Sequence, residues 1–203
     1  MISPRSRELV EGTPPASGRP LIVGIGGTTR PGSSTERALR LALDSAERSG
    51  AQTLLFAATH LAFPMYAPER PERTPEAQAF VAALRTAAGI IIATPGYHGG
   101  VSGLIKNALD YVEDLREDAR SYFDGRAVGC IVCAHGWQAT ASTLVALRSV
   151  VHALRGWPTP LGVTINSAHP VWDETGQLAD EGVRQSLAIM VHQVLMFVRA
   201  GVA

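Results

Sequence analysis

The run Leu21-Ile22-Val23-Gly24-Ile25-Gly26-Gly27-Thr28-Thr29-Arg30-Pro31-Gly32-Ser33-Ser34-Thr35-Glu36 passes from an apolar strand, through a turn rich in glycine and hydroxyls, into a helix. Leu21–Ile25 is apolar throughout, as a strand covered on both faces must be. The helix reads as Ser34–Ser49, with Leu39 and Leu43 four apart on one face and Gly50 as its stop. A strand that feeds a helix through a short glycine turn is the opening half of a βαβ unit.

The same alternation continues along the chain. Short apolar runs at Gln52–Ala57, Gly89–Thr94, Ala127–Ala134 and Leu161–Ile165 read as strands. Helical spacing marks Pro75–Ala87, Val101–Arg116, Thr140–Arg155 and Asp180–Arg199, the last with Asp180 as its cap. Strands alternating with helices imply right-handed crossovers and an α/β doubly wound, five-stranded parallel sheet with helices on both faces. The length of the chain suits the strand order 2-1-3-4-5 better than a six-stranded sheet. Residues 1–19 are rich in Pro, Ser, Gly and Arg and read as a flexible N-terminal leader; residues 20–203 read as one domain.

In such a sheet ligands lie beyond the carboxyl ends of the strands, at the switch point beside strands one and three. The turn Gly26–Glu36 falls there. Its glycines let the backbone approach a ligand closely. Thr28, Ser33, Ser34 and Thr35 bring hydroxyls, and Arg30 brings a fork suited to phosphate. The helix that follows aims its free N–H groups at the same spot. Together these make a monophosphate cradle, without the Gly-Lys-Ser/Thr of a Walker loop or the G-x-G-x-x-G of a dinucleotide fold. Ser33 and Glu36 also have the spacing of a capping box, and both readings hold at once.

The second informative segment follows strand three: Thr94-Pro95-Gly96-Tyr97-His98-Gly99-Gly100-Val101-Ser102-Gly103-Leu104-Ile105-Lys106-Asn107-Ala108-Leu109-Asp110-Tyr111. It resembles the T/S-P-E-Y-x-G-S-x-x-G-x-L-K-N-A-x-D-W pattern of the NADPH-dependent FMN reductase family, and the first turn resembles that family's G-S/T-x-R-x-x-S loop. The resemblance runs over about Leu21 to Ile165. It implies a flavodoxin-like fold and an NAD(P)H-dependent FMN reductase, with hydride passing from nicotinamide to the flavin N5 and reduced flavin supplied to an acceptor or a partner monooxygenase. It places the FMN phosphate on Thr28, Arg30, Ser33, Ser34 and Thr35, and the isoalloxazine along Pro95, Gly96, Tyr97, His98 and Gly99. After strand four, His135 and Gly136 become candidates for the ring's polar edge, while Trp137 stacks on a ring or buries in a subunit contact. No side chain is required as acid or base, because the flavin carries the chemistry. The resemblance also implies a homodimer or homotetramer. The sequence departs from the pattern at Gly96, where the family commonly has an acid, and at Gly100, where it has Ser.

Several neighbouring residues have plainer readings. Lys106 and Asp110 are spaced to pair across a helix surface, Asn107 to tie down a loop, and Ser102 to cap or pack a helix. Leu61–Glu69 either lies, as the family resemblance implies, near a flavin and a partner subunit, with exposed Phe63, Met65 and Tyr66 suited to an interface, or is a loop pinned by its own hydrophobic residues. His98 and His135 sit in the ligand-facing loops, where a proton role and a structural role are equally open. His152 and His192 read as surface or packing residues.

Bulk properties narrow the alternatives. Net charge is zero, which leaves no basic field for nucleic acid, and no apolar run reaches the roughly 18 residues of a membrane span. The N-terminus lacks the apolar core of a signal peptide, so a cytoplasmic location is expected. The six histidines show no metal-ligand spacing, so no metal is expected. Cys130 and Cys133 lie inside a strand, where residues three apart point to opposite faces, so they read as packing thiols and not a redox pair. The rival readings are an NAD(P)H:quinone or azo reductase with tightly bound FMN, an electron-carrying flavodoxin and a non-catalytic flavin sensor. Carriers are usually strongly acidic, and this chain is balanced.

Overall fold

The computed structural model describes residues 18–201, so the leader read at 1–19 falls almost wholly outside the described residues. The elements run β1 (Leu21–Gly26), α1 (Ser34–Arg48), β2 (Gln52–Ala57), α2 (Pro75–Thr86), β3 (Gly89–Tyr97), β4 (Gly100–Val101), α3 (Gly103–Asp110), β5 (Ala127–Ala134), α4 (Trp137–Ala153), β6 (Trp157–Pro158), β7 (Val163–Asn166) and α5 (Glu181–Arg199). Short 3-10 turns occupy Ala58–Leu61 and Tyr111–Leu115.

The main sheet is parallel, in the order β2-β1-β3-β5, with β6 and β7 following one another along the outer edge of β5. This is the expected 2-1-3-4-5 winding, but its last position holds two short strands: β7 covers the later part of the run read at Leu161–Ile165, and β6 lies before that run. The sheet therefore counts seven strands where the sequence reading has five. The break at Thr159–Gly162 has a chemical cause. Pro160 brings no N–H, Thr159 Oγ1 donates to the Leu161 carbonyl at 2.8 Å, and the Leu161 N–H is taken by Gln193 Oε1 at 3.0 Å. With these groups committed elsewhere the ladder cannot run on.

The seventh strand is β4, which pairs antiparallel with the end of β3 through Gly96↔Val101 and Tyr97↔Gly100. The expected helix over 101–116 therefore starts later, at Gly103, with the Ser102 hydroxyl accepting the Ile105 N–H as its cap. It gives way to 3-10 geometry from Tyr111. The helix read from Thr140 starts earlier, at Trp137. Asp180 caps α5 as expected, accepting the Val183 N–H at 3.0 Å.

The apolar strands divide their side chains between two cores. Val23, Ile90, Ile92 and Val132 pack with Phe80 and Leu84 of α2 and with α3 and α4. Ile22, Ile91 and Ile131 pack with Leu39 of α1 and Met190 of α5. Phe80 is fully buried, stacked edge-on to Phe56 at 5.2 Å. Burial of such a ring contributes about 1.5–3 kcal/mol. Cys130 falls in the first core and Cys133 in the second, on opposite faces as the strand period requires.

Candidate functional site

The carboxyl ends of β1, β3, β5 and β7 lie at one edge of the sheet. Gly26 is level with Ala93, Pro95 with Cys133, and Ala134 with Asn166. The three sequence-predicted loops leave from this edge, together with a fourth, after β7, that the sequence reading passed over.

The first loop is held by its own hydroxyls. Thr28 Oγ1 accepts the Arg30 N–H at 3.1 Å, and Ser33 Oγ accepts the Glu36 N–H at 3.3 Å as the cap of α1. Glu36 is buried and closes the box one residue early: its carboxylate takes the Gly32 N–H at 3.0 Å and pairs with Arg40 at 2.7 Å. Gly27 and Gly32 have φ of +103° and +70°, a region that glycine enters without strain. A Cβ at Gly32 would meet nothing within 4 Å, so the turn borders open space. Arg30 is exposed, and among the described residues no carboxylate pairs with it. Ser34 is half-buried. Thr35 is buried like Ser33 and Glu36, and its hydroxyl acts on the Cys133 thiol of β5, opposing the effect of burial there.

The second loop is a tight hairpin. His98 and Gly99, with φ of +52° and +79°, form the two-residue turn between β3 and β4. Two successive positive φ values suit the right-handed twist of a hairpin. The Thr94 hydroxyl accepts the Ser102 N–H at 3.1 Å and so locks the base of the hairpin to the start of α3. Pro95 is buried within β3, beyond the point where β1 leaves it, while Tyr97 and His98 are exposed. Gly96 packs so closely on α4 that an added Cβ would lie 2.8 Å from Thr143 Oγ1 and 3.0 Å from Ala134 Cβ. The absence of the family's acid at Gly96 thus has a local cause, since α4 fills its space.

In the third loop Gly136 has φ of +122°, and its N–H donates to Asn166 Oδ1 at 2.8 Å. The same oxygen accepts the Ala168 N–H at 3.0 Å, so one buried amide joins the loops after β5 and β7. Asn166 was missed; an Asn ending a strand before Ser-Ala-His-Pro was the available turn signal. His135 is exposed. Trp137 is 60% exposed, its ring tilted against His169 at 6.1 Å.

Asn107 ties down the 61–69 loop, accepting the Tyr66 N–H at 2.9 Å and donating to the Pro64 carbonyl at 3.0 Å. Phe63 is buried against Phe80 and Tyr111, and Tyr66 lies under Arg73. Of the three side chains considered for an exposed interface, only Met65 stands free, so the loop is pinned by its own hydrophobic residues. Lys106 pairs with Asp110 at 2.6 Å on the surface. His152 and His192 are exposed on helices.

Burial pushes both thiols up to about 12, against the ordinary value near 8.5. At pH 8 the folded thiolate is then depleted roughly a thousandfold. We expect neither cysteine to be alkylated by iodoacetamide in the native protein over a time that labels both in guanidinium, as read by mass spectrometry. Rapid native labelling would contradict the burial. The raised values also carry a sign: the stability they represent is present below the unfolded thiol's range and is lost as pH climbs from there toward about 12.

With this geometry in place, the relation to known proteins is direct. The model of the NADPH-dependent FMN reductase family matches residues 20–170. The chain belongs to that family. A relative, the FMN-dependent NADPH-azoreductase of Staphylococcus aureus (strain USA300), is 30% identical over 111 residues, covering 54% of this chain and 55% of that protein. The match thus spans about half the length of this curated relative. Among solved structures, the flavoenzyme NAD(P)H:(acceptor) oxidoreductase of Paracoccus denitrificans superposes with a TM-score of 0.72 at 16% identity, covering 90% of this chain and 98% of that one. An NADH:FMN oxidoreductase in its apo form gives 0.66 at 19% identity, covering 87% and 89%. At such identities these two show the flavodoxin-like fold. No helix among the described residues is long and apolar enough to cross a membrane.

Proposed function

We propose that this member of the FMN reductase family is an NAD(P)H-dependent FMN reductase whose cofactor lies along the carboxyl edge of the sheet. The observation that carries this reading is the open, hydroxyl-rich turn Gly27–Ser33 with its exposed Arg30, set beside the Gly96–Gly99 hairpin and Gly136. These residues suit FMN. The turn offers backbone N–H groups, hydroxyls and a guanidinium to a dianionic phosphate. The hairpin and Gly136 offer backbone close to a flat ring. FMN supplies acceptance of a hydride from NAD(P)H. The protein's part is to hold and orient it. Thr28, Arg30, Ser33 and Ser34 bind the phosphate end, with Thr35 braced behind them. Pro95 to Gly99 line the ring, and His135 and Gly136 border its polar edge. The Asn166 amide and the Thr94 hydroxyl keep both ring-side loops in place. Tyr97 and His98, being exposed, border the face that a nicotinamide or acceptor approaches.

The same proposal takes residues 20–203 as one FMN-binding domain with 1–19 as a leader, in a cytoplasmic homo-oligomer that hands reduced flavin to an acceptor or a monooxygenase. The azoreductase relative favours a second reading, in which FMN stays bound and an azo dye or quinone takes the electrons. The test is an absorbance spectrum of the protein with FMN, followed by anaerobic NADPH. A perturbed flavin band that bleaches supports the reductase; a bound flavin that neither NADPH nor NADH bleaches sinks it. Turnover with excess FMN, quinone or azo dye then separates the two readings. Arg30→Ala is expected to weaken FMN binding by about 1.5–3 kcal/mol, the size of a hydrogen bond to a charged group. Unchanged affinity in a fluorescence titration would remove Arg30 from the cradle.

A further inference from the structure

Arg37 stands in the first turns of α1, four residues past the Ser33 cap, where a positive charge opposes the helix dipole. Among the described residues no carboxylate forms an ion pair with it. Its neighbour Glu36 is already engaged by Arg40 and the Gly32 N–H. Arg37 is nevertheless held in a fixed pose. The guanidinium carbon lies 4.3 Å from the centre of the Trp172 ring, Nη1 donates to the Gly176 carbonyl at 3.3 Å, and Nη2 donates to Ser34 Oγ at 3.4 Å. Nε is buried with no hydrogen-bond partner among the described residues. Trp172 is itself fixed, by its bridge to Leu178 across the hairpin that follows β7.

A half-buried cation at the wrong end of a helix, immobilised and with no carboxylate paired to it among the described residues, is costly unless an anion comes close. Toward the first loop its guanidinium reaches the hydroxyl of Ser34. By accepting from Nη2, Ser34 Oγ leaves its own proton free to donate, and the guanidinium strengthens that donation.

We infer that Arg37, clamped by the Trp172–Leu178 hairpin, is a positioning residue that orients and polarises Ser34 toward the flavin phosphate and supplies a second fixed positive charge behind the cradle. The inference rests on the reading of the first loop as the phosphate site. Because it concerns the phosphate alone, it separates FMN from riboflavin, which has the same ring and no phosphate.

The test is fluorescence titration of the full-length protein with FMN and with riboflavin, for the wild type, Arg37→Gln and Arg37→Lys. The wild type should prefer FMN. Arg37→Gln should lose roughly tenfold in FMN affinity, the scale of one charge-assisted interaction, with riboflavin affinity unchanged. Arg37→Lys should recover part of the FMN affinity, because it keeps the charge and loses the fork. The FMN affinity of Arg37→Gln should also fall less steeply with added salt. An equal loss for both flavins would show a merely structural role and overturn the inference, as would an unchanged preference for FMN. If Arg37→Gln does not fold, Arg37→Lys decides: a preference as strong as the wild type's, with the same salt dependence, would overturn the role of the fork. A wild type that binds both flavins alike removes the phosphate reading itself, and that outcome is read before any variant is made.

Discussion

Arg126→Met is expected to destabilise the protein by about 3–5 kcal/mol, although the residue lies at the end of the sheet away from the candidate site. Arg126 is 1% exposed and precedes β5. Its guanidinium donates to the carbonyls of Ala87 at 3.0 Å, Arg85 at 3.0 Å and Tyr122 at 2.9 Å. Two of these carbonyls belong to the end of α2, which no helical N–H serves. One side chain thus closes α2 and fixes the 122–125 turn, where Tyr122 and Gly125 both have positive φ. Methionine matches the length and fills the space, but it leaves buried carbonyls unpaired. The charge has its own cost: burial pulls the guanidinium down to about 10. That penalty is present at neutral pH and lessens only as pH rises past about 10, so it offsets part of the gain without cancelling it. Thermal melting should fall by roughly 10 °C for a chain of this size. Arg126→Lys should fall between the two, since a single ammonium cannot reach all these carbonyls. A Met variant that melts with the wild type would refute the account.

Gly96→Glu, which restores the acid common in the family, is expected to cost about 1–3 kcal/mol through overpacking. The new Cβ would meet Thr143 Oγ1 at 2.8 Å, Ala134 Cβ at 3.0 Å and the Ala139 carbonyl at 3.3 Å. None of these is the free end of a flexible chain. Thr143 is fully buried on α4, and its hydroxyl has no hydrogen-bond partner among the described residues. Thr143→Ala alone should therefore be nearly neutral, because it removes an unpaired buried hydroxyl. Combined with Gly96→Glu it should recover about 1 kcal/mol, a coupling that a double-mutant cycle in urea measures. If the two effects simply add, Thr143 is not what excludes the side chain. In the proposed function, displacement of the hairpin by Gly96→Glu also weakens flavin binding, and Thr143→Ala restores part of it.

Much of this architecture is legible residue by residue. Apolar runs of strand length alternating with helical spacing require a covered parallel sheet, because both strand faces must be buried. The caps at Ser33, Ser102 and Asp180 follow from hydroxyls and carboxylates placed just before apolar helices. The opposed burial of Cys130 and Cys133 follows from strand period alone. The glycine- and hydroxyl-rich turn after the first strand marks the cradle because its donors are close together in the chain. Tertiary structure decided the rest. The hairpin takes Val101 from the start of an expected helix, because β4 finds its partner in β3. The last strand position is divided because Gln193, from α5, captures the Leu161 N–H. Asn166 joins two loops, Thr143 excludes a side chain at Gly96, and Trp172 immobilises Arg37. In each case the partners are far apart in the chain and meet only when elements pack, so no local periodicity or spacing encodes the contact.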